Sequence, residues 1–130
     1  MNLPLHTGLL GCLEAGLIAF LVGVLVYAAW AWIGRRTGMQ IGHVLGWGAV
    51  IATVVAAGLD AWNLFYIGMV KLESPLYARL ALAGIHDADN LGTRVMLEVI
   101  GAVSGSVLGW WLFSHRHAAQ DAAGGADTTK

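Results

Sequence analysis

Four charged residues stand inside or at the edge of stretches that are otherwise apolar: Glu14, Asp60, Arg94 and Glu98. A charge near the centre of a bilayer costs about 2.5–3.5 kcal/mol on insertion scales, so such residues turn toward protein or water and mark functional sites by default. Arg94 precedes Glu98 by four residues, the neighbouring position on a helix, and the two are expected to pair. That leaves Glu14 and Asp60 to be balanced by a retained proton, a bound cation or a partner subunit. Asp60 and Asn63 together read either as an interhelical hydrogen bond or as an ion, proton or substrate site. Trp62, Phe65 and Tyr66 follow closely. With Asp60 and Asn63 they could line an apolar substrate or quinone pocket, and they equally suit an interfacial aromatic belt.

His86, Asp87 and Asp89 are ligand types that could hold a divalent metal with Glu14 or Glu98. The same segment also reads as an exposed, helix-capping loop. His115 and His117 flank Arg116 near the carboxyl end, where a solvated membrane-edge cluster is the simpler reading. Haem is disfavoured, because His43 lies near the Arg35–Arg36 loop and His86 on the opposite side, so one chain cannot offer both axial ligands at one depth. The lone Cys12 excludes an intramolecular disulfide and any CxxC site. No nucleophile–base pair, phosphate-binding glycine loop or HExxH is present, so catalytic residues are not assigned and an enzyme is not the expected class. Seven Lys/Arg against eight Asp/Glu, with no concentrated basic face, argue against nucleic acid.

The elements that position these residues follow from composition. The 130 residues are 58% apolar and 12% charged, against roughly half and a quarter in an average globular domain. A chain this short buries too little of its own surface to hide that much apolar area, so lipid must cover the rest. The expected fold is an all-α integral membrane protein with three transmembrane helices, at about 9–33, 41–70 and 95–113, each near or beyond the ~20 residues a bilayer requires. The first lacks a basic leader and is too long for a signal-peptide core, so it is read as a retained span. Between the second and third spans, Ser74 and Pro75 open a short helix over about 75–85, too short to span and therefore interfacial. Asn90 or Thr93 is placed to cap the third span. Residues 1–117 form one transmembrane domain, and 118–130 read as a disordered tail.

Small residues suggest how the spans meet. Gly42, Gly46, Ala49, Thr53, Ala56, Asp60 and Asn63 follow at steps of four and three on one face of the second span. Gly101, Gly105 and Gly109 make two overlapping GxxxG units in the third, with Glu98 one turn before them. Alternating helix directions bring Glu14, Asp60 and Glu98 to the membrane half next to the long loop, where they could converge with Asn63 and His86 on one acidic pocket. Trp30, Trp32, Trp47, Trp110 and Trp111 gather at the opposite end as an aromatic belt. Loop arginines Arg35 and Arg36 favour a cytoplasmic position for that end, with the amino terminus outside and the carboxyl terminus inside the bacterial cytoplasmic (inner) membrane. In Glu14 alone the chain resembles small multidrug transporters, which have four spans rather than three. The expected function is a small inner-membrane accessory or complex subunit, partnered by lipid and by copies of itself or other membrane subunits. The alternatives are a proton- or cation-coupled transport or channel component acting as a homo-oligomer, and a small enzyme acting on an apolar substrate.

Overall fold

A computed structural model describes residues 5–69, 74–85 and 87–126, with side chains described except at 81 and 116–126. Four α-helices appear in chain order: α1 (Leu9–Thr37), α2 (Ile41–Met69), α3 (Pro75–Ala83) and α4 (Leu91–Ala126), with a 3₁₀ turn at Ala88–Asn90 leading into the last. Three segments, Leu9–Thr37, Ile41–Met69 and Ala88–His115, are long and apolar enough to cross a membrane. The chain is thus an all-helical protein with three membrane-capable helices and a short helix between the second and third.

Helix ends follow local chemistry. α1 stops at Gly38, whose φ of 68° lies in the left-handed region that glycine enters without a Cβ clash. The next amide, Met39 N–H, bonds back to the Gly34 carbonyl at 3.0 Å, and α2 begins two residues later. α3 starts at Pro75 after Ser74 in extended conformation, as expected, but the Ser74 hydroxyl makes no cap; its carbonyl accepts the first helical bond, from Ala78 N–H at 3.1 Å. Asn90 does not cap α4 through its side chain; its amide donates to the Asp87 carboxylate at 3.1 and 3.2 Å. α4 also runs beyond the expected end of the span near 113, through Ala126. Alanines at 118, 119, 122 and 123, the strongest helix formers, carry the backbone through a tail expected to lack order. At 1.5 Å per residue α4 is about 54 Å long, well over the ~30 Å of a hydrocarbon core.

α1, α2 and α4 form the bundle, with α1 and α4 in the most extensive contact and α2 packed against both. α1 and α4 run parallel: Gly16 meets Leu97, Phe20 meets Gly105 and Tyr27 meets Gly109. α2 is antiparallel, with Gly34 against Val44 and Tyr27 against Gly48. The buried face of α1 repeats every three to four residues as Gly11, Ala15, Ala19, Gly23, Tyr27, Ala31 and Gly34. α2 contributes Val44, Gly48, Ala52, Ala56 and Asp60 at steps of four. The centre is a cluster of four alanines, Ala19, Ala52, Ala56 and Ala102. Small side chains let the backbones approach closely, which replaces the hydrophobic drive that lipid cannot provide. Leucines and valines point outward: Leu13, Leu17, Leu21, Val54 and Ile100 are all exposed. α3 stands outside this packing, with Leu76, Tyr77 and Leu80 exposed.

Candidate functional site

The three-helix core encloses one ion-pair centre. Asp60 ends the buried ladder of α2, and Arg94 and Glu98 lie one turn apart on the buried face of α4. Arg94 Nε is 3.2 Å from Asp60 Oδ2 and 3.6 Å from Glu98 Oε1. Exposure of the three residues is 1%, 3% and 1%, so the guanidinium and both carboxylates are withdrawn from lipid and water alike. Below them on α4, one turn further at each step, come Ala102 and Ser106, both fully buried. The Ser106 hydroxyl donates to the Ala102 carbonyl at 2.9 Å and lies 3.5 Å from the Gly23 carbonyl of α1.

This arrangement keeps the expected Arg94–Glu98 pair and extends it to Asp60. Arg94 was to be matched to Glu98 alone, leaving Asp60 without a cation, whereas the shorter contact crosses to Asp60. Helical spacing places Glu98 beside Arg94, but the guanidinium on the inward face of α4 also meets the next helix, and the α2 ladder ends there.

Glu14 does not join the centre. Its carboxylate accepts from His6, with Oε1 2.8 Å from Nδ1 and Oε2 3.3 Å from the backbone N–H, and a third of the side chain is exposed. The inward face of α1 passes through Gly11 and Ala15, and Glu14 sits about 100° away from Ala15. His6 was not singled out from sequence, and a histidine two residues before a helix-starting glycine carries no distinctive signal. Asn63 is half-buried one turn beyond Asp60. His86 lies outside the described residues.

Asp87 ties the loop to the start of α1. It takes a left-handed backbone (φ 54°), and its carboxylate accepts the Gly8 N–H at 2.6 Å besides the Asn90 amide. Cys12, buried, donates to the Asn90 carbonyl at 3.8 Å, which adds a second link at the same place. Asp89 is exposed. Among the described residues no group of three or more His, Cys, Asp or Glu is arranged to hold a metal ion.

The composite pocket of Asp60, Asn63 and Trp62 does not form. Trp62 is 63% exposed and lies against Phe65 with ring centroids 5.9 Å apart, while Asp60 faces the core. Two residues of helix separate them by about 200°.

The glycines divide between inner and outer faces. A Cβ at Gly101 would collide with the Gly16 carbonyl and one at Gly105 with the Phe20 carbonyl; at Gly109 it would lie 2.9 Å from Tyr27 Cδ1. All three therefore line the α1–α4 contact. Gly42 and Gly46 have no atom near such a Cβ and lie on an outward face. The inner face of α2 passes instead through Val44, Gly48 and Ala52. Gly42 and Gly46, with His43, Trp47 and Val50, line an open depression on the outside of α2.

No known protein family, characterised protein or solved structure matches this chain. What it does must therefore be argued from its own geometry.

Proposed function

We propose that the protein is an accessory subunit of a membrane complex, which uses a rigid three-helix core to present the outer face of α2 to a partner helix. The observation that carries this reading is the burial of Asp60, Arg94 and Glu98 on one another. Ion pairing in the core ties α2 to α4 and leaves these groups facing the bundle and not a water-filled path. Helix association in lipid uses small residues where backbones approach, and the outward Gly42 and Gly46 on α2 suit that role for another subunit or a second copy.

Orientation follows from where the cations lie. Arg94 is buried in ion pairs, so it does not count as a loop charge. Lys71 and Arg79 then remain on the α3 side against Arg35, Arg36 and Arg116 on the other. The positive-inside rule puts the arginine side in the cytoplasm and the amino terminus outside, in a bacterial inner membrane.

Native mass spectrometry of the protein extracted in mild detergent tests the reading. Wild type is expected in an assembly with other chains or with itself, and Gly46→Trp is expected to release it with unchanged helical circular dichroism. A monomeric wild type would overturn the proposal. So would proton flux into liposomes that Asp60→Asn abolishes, since transport would then require Asp60 to be accessible.

A further inference from the structure

The two ends of the bundle differ in charge. Residues 15–59 and 99–120 contain no Asp or Glu. The end built from the close of α1, the start of α2 and the middle of α4 therefore carries Arg35, Arg36, His43 and His115, while Glu14, Asp60, Asp87, Asp89 and Glu98 gather at the other. Arg36 lies over the Trp32 ring, 4.0 Å from its centroid, at the level of the aromatic belt. A basic cluster at one membrane face attracts anionic headgroups, and basic pockets between spans bind them individually.

Such a pocket exists here. A cavity of about 130 Å³ opens between α1, α2 and α4, with walls of Tyr27, Met39, Val44, Trp110 and Phe113 and with Arg35 among its lining residues. Its size is near that of a cavity that admits a benzene ring, ~150 Å³. Apolar walls and a cationic margin at the depth of the headgroups describe a particular ligand chemistry. Free inorganic phosphate would match the arginines but not the walls, and a hydrocarbon chain alone would match the walls but not the arginines.

We propose that this cavity binds one anionic phospholipid. Its phosphate lies on Arg35 and Arg36, and the first methylenes of an acyl chain enter the cavity. The site is independent of the α2 outer face, so it stands whether or not the protein joins a complex.

The test is native mass spectrometry of the full chain in mild detergent, titrated with palmitoyl-oleoyl phosphatidylglycerol or with the phosphatidylcholine of the same chains. One phosphatidylglycerol per chain is expected, preferred over phosphatidylcholine by about tenfold or more. Arg35→Gln with Arg36→Gln is expected to erase the preference. Ser114→Phe, which fills the cavity from α4, is expected to lower phosphatidylglycerol retention with both arginines in place. Met39→Trp fills it from the connecting loop, away from any helix, and serves if the α4 variant fails to fold. Equal retention of the two lipids by wild type would overturn the proposal. Undiminished phosphatidylglycerol retention by a folded cavity-filling variant, or displacement of the lipid by an equal concentration of inorganic phosphate, would also overturn it.

Discussion

Replacing Arg94 with leucine removes the guanidinium that stands 3.2 Å from Asp60 and 3.6 Å from Glu98, and leaves two carboxylates in a core with almost no solvent access. Breaking a buried ion pair from one side costs about 3–5 kcal/mol, because the remaining charge is desolvated without its partner. Arg94→Leu is therefore expected to lower stability by that amount in sodium dodecyl sulfate unfolding followed by tryptophan fluorescence. Asp60→Asn should lose less, since Glu98 still supplies a counter-charge 3.6 Å from Arg94 Nε and the amide keeps the shape of the side chain. Replacing the set together, as Asp60→Leu, Arg94→Met and Glu98→Leu, is expected to restore stability close to wild type, because apolar packing substitutes for a buried ion pair at little net cost. A triple variant less stable than Arg94→Leu would refute the view that these charges serve the packing. The sequence already marked Asp60, Arg94 and Glu98 as an unusual set, since charges in apolar helices stand out by type alone. It did not reveal that Arg94 lies closer to Asp60, because that choice depends on how α2 is rotated against α4. Ser106 escaped notice for a related reason: a serine in a run of glycine, alanine and valine is conspicuous only once its face is known to be the inner one.

The helices themselves were legible from length and apolar content, down to Pro75 at the start of α3, but their faces were only partly so. Gly101, Gly105 and Gly109 form a single stripe in α4, with no competing stripe of glycines, and they line the contact with α1. α2 carries two stripes of small residues. One steps through Gly42, Gly46, Ala49 and Thr53 and the other through Val44, Gly48 and Ala52, and they merge at Ala56 and Asp60. A helix that is apolar all round lacks the polar side that would orient it, so periodicity alone does not choose between them. Substitution separates the two faces. Gly105→Ala places a methyl group against the Phe20 carbonyl, and overpacking of this kind costs about 1–3 kcal/mol. Gly46→Ala meets no atom and replaces glycine with the best helix former, so the isolated chain should be unchanged or slightly more stable. The two variants are compared in the same unfolding assay. A loss for Gly46→Ala equal to that for Gly105→Ala would mean that α2 turns its other stripe inward.

Over the whole molecule, charge is sorted by end: the carboxylates of the spans and the α3 side lie together, and the loop arginines lie opposite. Burial of Arg94 sharpens this division, because a cation inside the bundle has no part in setting topology. The one native cysteine makes the resulting orientation measurable. Cys12 is 1% exposed, so a membrane-impermeant maleimide should react poorly with the folded wild type. New cysteines can then report each side, because Gln40 is exposed in the arginine-side connection and Asp89 is exposed within the 3₁₀ turn. Asp89→Cys is expected to label in intact spheroplasts, and Gln40→Cys only after the membrane is permeabilised. The opposite pattern would put Arg35 and Arg36 outside and invert the proposed orientation. Labelling of both positions in intact spheroplasts would mean that the Gln40 and Asp89 ends of the bundle are not separated by a bilayer, which would contradict the three-span arrangement itself.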